Sequence, residues 1–172
     1  MDFELHPAIT LRSRAFHVLV APAQMLVEAL NSHLNLQRFE VLYVCGNYSR
    51  ILSGLDRRLT ALKVRRAFTA FQLMTILEES CHTLLILEHD PLLYEDAKEM
   101  AEYVALAMKD ASKSSIVLLY SAASDPSLEE MIKYADRVFY FAEGARATAK
   151  HSAKNSRKTQ TGSVGQTTLG TF

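Results

Sequence analysis

Short apolar runs alternate with helical patterns along most of this chain. The runs are rich in β-branched and aromatic residues, and most are continuous rather than alternating, which is typical of strands buried on both faces of a sheet. The five predicted strands are Phe16–Val20, Phe39–Cys45, Leu84–Leu87, Ile116–Tyr120 and Arg137–Phe141.

Between these runs, apolar residues recur at the three- and four-residue spacing of amphipathic helices. The predicted helices are Gln24–Leu34, Thr69–Ser80 and Leu93–Ala111. In the second helix we expect Phe71, Met74 and Leu77, together with Phe68 just before it, to lie on the buried stripe. Strands separated by helices form right-handed crossovers. The sequence therefore predicts an α/β fold, a mainly parallel sheet with helices on both faces.

Charge is unevenly distributed although the formal net charge is zero. Residues 144–172 contain five Lys and Arg and no acidic residue, whereas residues 1–143 contain 14 Lys and Arg and 19 Asp and Glu. The basic segment is dominated by small and polar residues, which cannot bury enough apolar surface to offset the entropy of ordering. We predict one domain over residues 1–143 and a flexible basic tail over residues 144–172.

Other features exclude several classes of protein. Cys45 and Cys81 match neither a zinc pattern nor a disulfide framework, and each is expected to be a buried thiol. His17, His33 and His82 are dispersed without metal-ligand spacing, and nothing resembles a nucleophile elbow, a Cys–His pair or a paired-carboxylate site. We therefore expect no metal site, no cofactor and no catalytic residue. The sequence shows no signal peptide and no apolar run that would span a bilayer, which predicts a cytoplasmic protein without a membrane partner.

The last seven residues, Gln166 to Phe172, read Q-x-x-L-x-x-F. One short turn places Leu169 and Phe172 on the same side as two apolar anchors, with the Gln166 amide free to bond backbone. The pattern resembles the PCNA-interacting peptide that attaches replication and repair proteins to the DNA sliding clamp, although a second aromatic is missing. The resemblance implies that Gln166, Leu169 and Phe172 bind the clamp. An ordinary frayed chain end is the alternative.

The order of elements in the body resembles the RecA-like ATPase core, and within it the archaeal RadA and KaiC-like branch. Arg66-Ala67-Phe68 followed by Gln72-Leu73-Met74 looks like the stretch before the second nucleotide motif of RadA. The apolar run from Leu84 to Leu87, followed by Glu88, is similar to a Walker B strand, in which an acidic residue follows an apolar run. The resemblance covers about residues 14–143 and implies that Glu88 and Asp90 are a relic of Walker B. For Glu88, capping of the next helix and a working acid/base or metal role are the alternatives.

The sequence departs from this family where the phosphate loop belongs. RecA-like ATPases carry G-x-x-x-x-G-K-[ST] after the first strand, whose amides, lysine and hydroxyl hold the phosphates and Mg²⁺. Here the first strand runs into Ala21-Pro22-Ala23-Gln24-Met25-Leu26, without glycine, lysine, serine or threonine. Pro22 also removes one amide. We therefore expect no ATP hydrolysis.

Basic residues indicate two candidate contacts with DNA phosphate. In the body, the cluster consists of Arg57, Arg58, Lys63, Arg65 and Arg66, for which a solvated helix end is the alternative. In the tail, weak and salt-sensitive attraction is expected from Lys150, Lys154, Arg157 and Lys158.

Taken together, these features predict a non-catalytic RecA/RadA-like adaptor in DNA repair, recombination or replication, tethered to PCNA and associated with the nucleoid. The resemblance implies a RadA-like recombinase, or another repair or replication protein, as a second partner. One alternative is an ATPase of this fold with an atypical or composite nucleotide site. Another is a KaiC-like signalling module in which the tail is incidental.

Overall fold

The computed structural model describes residues 2–32 and 38–141, together with the backbone of residues 148–150. Nine strands are found in this part of the chain: β1 (Phe3–His6), β2 (Ile9–Leu11), β3 (Ala15–Val20), β4 (Val41–Cys45), β5 (Leu62–Arg66), β6 (Leu84–Glu88), β7 (Ile116–Ser121), β8 (Arg137–Tyr140) and β9 (Thr148–Lys150). The α-helices there are α1 (Ala23–Ser32), α2 (Ala70–Glu79), α3 (Met100–Ala111) and α4 (Pro126–Ile132), with short 3₁₀ helices at Leu52–Gly54 and Pro91–Tyr94.

Seven strands form one sheet in the order β5-β4-β6-β7-β3-β8-β9. The first six are parallel, whereas β9 runs antiparallel to β8 at the edge. Strands β1 and β2 form a separate antiparallel hairpin. This architecture confirms the α/β fold class predicted from the sequence.

Apolar side chains fill both faces of the sheet, as the continuous runs predicted. On one face, Leu85 and Leu87 of β6 contribute to a core that α2, α3 and α4 cover. On the other, Leu84 and Ile86 pack with α1 and the β1–β2 hairpin. Because neighbouring residues of a strand point to opposite faces, one apolar run supplies both cores.

Several elements differ from the sequence prediction. The β1–β2 hairpin and α4 were not predicted, and β5 is a strand rather than the charged helix end considered for Lys63, Arg65 and Arg66. Helix α3 begins at Met100 instead of Leu93, because Pro91–Tyr94 form a separate 3₁₀ helix. Asp90 caps that short helix by accepting a hydrogen bond from the Leu92 amide at 3.0 Å.

Helix α2 is rotated relative to the predicted stripe. Its buried residues are Ala70, Leu73, Ile76 and Leu77, whereas Phe68 and Phe71 are exposed. The prediction that both rings are buried is therefore wrong. The buried stripe of α2 begins at Ala70 and continues through Leu73 and Leu77. Phe71 is the next residue after Ala70, so it lies about 100° further around the helix and faces solvent.

The remaining predictions for the body have mixed outcomes. Cys45 is a buried free thiol as expected, but Cys81 is exposed because it lies in the loop between α2 and β6.

Strand β9 lies inside the segment predicted as a flexible tail. Its backbone pairs with the open edge of β8, and this pairing does not require apolar side chains. Among the described residues, no helix has the length and hydropathy needed to cross a membrane.

Candidate functional site at the carboxyl edge of the sheet

The turn from β3 into α1 is closed, although the resemblance to ATPases would place a phosphate loop there. Helix α1 begins at Ala23, three residues after β3 ends at Val20. The Ala21 amide donates to the Ser121 carbonyl at 3.1 Å, and the buried Tyr120 hydroxyl donates to the Ala21 carbonyl at 3.1 Å. With Pro22 lacking an amide, neither residue presents an N–H group to a phosphate.

Glu88 ends β6, the strand that resembles Walker B, and its carboxylate accepts three hydrogen bonds. The donors are the Tyr43 hydroxyl at 2.7 Å, the Ser49 hydroxyl at 2.5 Å and the Arg50 amide at 3.0 Å. All three come from β4 or the loop after it. Glu88 thus holds the β4 loop against β6, and it does not cap the following helix.

Two buried tyrosines flank this carboxylate. Burial raises the pKa of Tyr43 above its ordinary value, and the adjacent Glu88 charge adds to the effect. Burial, with a smaller contribution from Glu88, raises the pKa of Tyr120 to about 12. Both phenols are therefore protonated at neutral pH and act as hydrogen-bond donors.

His89 connects the end of β6 to α4 on the opposite face of the sheet. Its side chain is only 1% exposed, it stacks on Tyr94, and Nε2 lies 2.7 Å from Asp125 Oδ2. Asp125 caps α4 by accepting from the amides of Ser127 at 2.9 Å and Leu128 at 3.1 Å. The contact joins β6 to the start of α4.

The His89 group does not have the arrangement of a catalytic triad. Burial lowers the pKa of His89, opposed by the Asp125 charge. Burial of Asp125 would raise its pKa, but hydrogen bonds from Ser127 and the nearby His89 outweigh it, so the pKa is lowered. The Ser127 hydroxyl and Asp125 both contact His89 Nε2, at 3.4 and 2.7 Å. A triad places the acid on the other ring nitrogen, so here one nitrogen cannot take a proton from serine while bonding the acid.

Asp90, the second acid of the motif, packs against the glycine that follows β4. A Cβ atom at Gly46 would lie 2.2 Å from Asp90 Oδ2. The other carboxylate oxygen caps the Pro91–Tyr94 helix. Asp90 therefore has a structural role in the packing of two loops.

The cavities at this edge do not match a nucleotide phosphate chain. One, lined by Glu88, His89 and Asp90 among others, measures about 10 Å³, enough for a single water molecule. A larger cleft of about 480 Å³ lies between α3 and α4. Its lining includes Glu95, Glu99, Glu102, Asp125 and Glu130 against Lys98. This negative charge repels phosphate.

The basic cluster of the body is only partly assembled. Arg58 pairs with Asp56 at 2.6 Å, and Arg65 with Glu79 at 3.0 Å. Arg66 donates to the carbonyls of Gly46 at 3.1 Å and Asn47 at 2.6 Å. Arg57 and Lys63 are exposed.

The clamp-binding prediction falls on residues that the structure does not describe. Gln166, Leu169 and Phe172 lie outside the described residues, as do Lys154, Arg157 and Lys158. Lys150 belongs to β9, of which only the backbone is described.

Sequence reasoning missed the exposed aromatic residues near the basic cluster. Tyr48, Phe68 and Phe71 are large apolar residues that face solvent. The signal available in the sequence was the proximity of Phe68 to Arg65 and Arg66, but helical periodicity assigned Phe68 and Phe71 to the core, and Tyr48 was not considered.

Comparison with known proteins adds one relative. An uncharacterized protein from Archaeoglobus fulgidus is 31% identical to this chain over 123 residues, which are 71% of this chain and 62% of the relative. The chain thus spans about three fifths of the length of that relative. No protein-family model matches the chain.

Proposed function

We propose that this protein is a non-catalytic RecA/RadA-like adaptor for DNA repair, recombination or replication. In this proposal Gln166, Leu169 and Phe172 attach it to the sliding clamp PCNA. A RadA-like recombinase, or another repair or replication protein, is the second partner that the resemblance implies.

The observation that carries the non-catalytic part is the closed turn after β3. The Ala21 amide and carbonyl are both bonded within the protein, at 3.1 Å each. Pro22 has no amide to offer. Opening this turn for a phosphate would break two hydrogen bonds, one of them buried, without providing the lysine that neutralises a phosphate chain.

The use of Glu88 supports the same conclusion. A Walker B acid must keep its oxygens available to the Mg²⁺ shell, but Glu88 accepts hydrogen bonds from Tyr43, Ser49 and Arg50. Those donors lie on the β4 side of β6. Both oxygens of the carboxylate therefore already accept hydrogen bonds that hold the loop after β4.

The clamp part of the proposal is supported by the Q-x-x-L-x-x-F spacing. Leu169 and Phe172 are three residues apart, so a single helical turn presents both to one apolar pocket. Because the pattern has one aromatic anchor instead of two, we expect micromolar affinity, near −8 kcal/mol.

Calorimetric titration of a Thr161–Phe172 peptide into the host's clamp tests this proposal. Leu169→Ala and Phe172→Ala should each cost about 1–3 kcal/mol of binding free energy, as buried interface anchors do. Gln166→Ala should cost about 1 kcal/mol, because it loses hydrogen bonds rather than burial. Thr168→Ala is the matched control and should bind like the wild-type peptide. Equal binding by wild type and the Leu169→Ala, Phe172→Ala double variant would refute the proposal.

A further inference from the structure

Three aromatic side chains face solvent in the segments that follow β4 and β5. Tyr48 is 83% exposed, Phe68 59% and Phe71 68%. Tyr48 follows the end of β4, and the two phenylalanines flank the start of α2. Exposed apolar residues that occur in a group, rather than singly, mark a surface that binds something.

Hydrogen bonds hold the backbone that carries these rings. The Arg66 guanidinium donates to the Gly46 and Asn47 carbonyls, which ties the end of β5 to the segment that leads into Tyr48. The Gln72 side-chain oxygen Oε1 accepts a hydrogen bond from the Phe68 backbone amide at 2.8 Å. The Gln72 backbone amide donates to Thr69 Oγ1 at 3.2 Å. The rings are therefore presented from a fixed backbone.

The positive charge of the body is concentrated in the segment between Tyr48 and Phe68. Residues 50–66 carry six Lys and Arg against one Asp, whereas the rest of residues 1–143 carries eight Lys and Arg against 18 Asp and Glu. Arg65, Arg66 and Phe68 line one open groove of about 290 Å³. The ion pair between Arg65 and Glu79 is exposed on both sides, so it contributes little stability and leaves Arg65 able to exchange Glu79 for another anion.

We propose that this surface, formed by Tyr48, Lys63, Arg65, Phe68 and Phe71, binds single-stranded nucleic acid. Aromatic rings stack on unpaired bases, while neighbouring cations neutralise the phosphates. Bases in a duplex are stacked on one another and do not present their faces. Solvent-exposed rings therefore favour a single strand over a duplex.

This inference goes beyond the proposed function, because it assigns a ligand to a surface of the body that clamp attachment does not use, and it shares with that function only the choice of a DNA probe. Clamp binding is measured with a peptide that lacks this surface, so either proposal can fail while the other stands.

Fluorescence anisotropy with a labelled 20-nucleotide oligothymidylate and the full-length chain tests the inference. The Phe68→Ala, Phe71→Ala double variant should bind on the order of tenfold more weakly or worse. Phe68→Leu, Phe71→Leu should lose as much, because leucine keeps apolar bulk but has no ring. Replacing both by tyrosine should restore binding. The basic tail is present in every variant, so its attraction for the probe cancels.

A matched control and a salt series sharpen the experiment. Tyr103 on α3 is 53% exposed and lies outside this surface, so Tyr103→Ala should bind like wild type. Lys63→Gln with Arg65→Gln should weaken binding and make it less dependent on salt, whereas the phenylalanine variants should leave the salt dependence unchanged.

Three results would overturn the inference. The first is no binding of the wild-type chain to the probe at low salt. The second is equal binding by wild type and either the alanine or the leucine double variant. The third is a preference for a 20-base-pair duplex over the single strand, which would indicate phosphate attraction without base stacking.

Discussion

Asp90 lies so close to Gly46 that a Cβ atom at position 46 would have to displace the Asp90 carboxylate. A Cβ atom there would lie 2.2 Å from Asp90 Oδ2 and 3.2 Å from Asp90 Cβ. The contact joins the loop after β4 to the loop after β6, where an ATPase of the resembled family would keep its acidic residue available. In this protein the two loops pack against each other instead.

We predict that Gly46→Ala destabilises the protein by about 1–3 kcal/mol, because the new methyl group overlaps the Asp90 carboxylate. Chemical denaturation of the variant measures this change in the free energy of unfolding. Combining Gly46→Ala with Asp90→Ala should cost less than the sum of the two single changes, since Asp90→Ala removes the closest atom. Strict additivity would show that the two residues are not in contact.

Replacing Glu88 should reduce stability, because its carboxylate accepts three hydrogen bonds in a half-buried position. In Glu88→Gln, an NH₂ group replaces one carboxylate oxygen and cannot accept a hydrogen bond from the donor that faces it. We therefore expect the free energy of unfolding to fall by about 1–3 kcal/mol. Tyr43→Phe should cost about 1–2 kcal/mol by removing one of the donors. Exposed Glu78 provides the control, and Glu78→Gln should change stability by less than about 0.5 kcal/mol. A neutral Glu88→Gln would contradict the anchoring role.

His17 should make stability depend on pH. It is fully buried, its Nε2 accepts from the Arg12 amide at 3.0 Å, and Nδ1 contacts the Val117 carbonyl at 3.3 Å. These partners require the neutral ring with the proton on Nδ1. Burial lowers the pKa of His17 to about 4.

Since the unfolded chain binds this proton near pH 6.5 and the folded chain only near pH 4, stability is highest above pH 6.5. It should fall by about 3 kcal/mol as the pH drops from 6.5 to 4, and this contribution should then level off. Titration of the ring signals by NMR checks the folded-state pKa, and a midpoint near 6.5 would contradict the prediction. His17→Gln should lose this part of the pH dependence, while any contribution from His89 remains.

Nucleotide should not stabilise the protein. The closed turn at Ala21 and Pro22 lacks the amides and the lysine that a triphosphate needs, so millimolar ATP with Mg²⁺ should leave the melting temperature unchanged. A ligand present at 100 times its Kd would add about 2.7 kcal/mol, which thermal denaturation detects readily. A clear shift that disappears in Glu88→Ala would show that the site binds nucleotide after all.

The sequence by itself determined the parts of the fold in which the local pattern and the tertiary environment agree. The short, nearly continuous apolar runs of β3, β6 and β7 are typical of strands buried on both faces, and Met100, Val104 and Met108 repeat at helical spacing on the buried side of α3. The missing phosphate loop was also readable, because its chemistry depends on residue types that are absent. The clamp motif remains a prediction from the sequence alone.

Tertiary structure decided what depends on partners distant in the chain. The polar segment Leu62–Arg66 becomes a strand because its backbone pairs with β4, which no side-chain pattern announces. Phe68 and Phe71 have the apolar character of core residues, yet the packing of Ala70 and Leu73 turns them toward solvent. Glu88 became an anchor because Tyr43, 45 residues earlier, lies on the neighbouring strand. Local sequence sets periodicity, but only the assembled sheet sets which side chains meet.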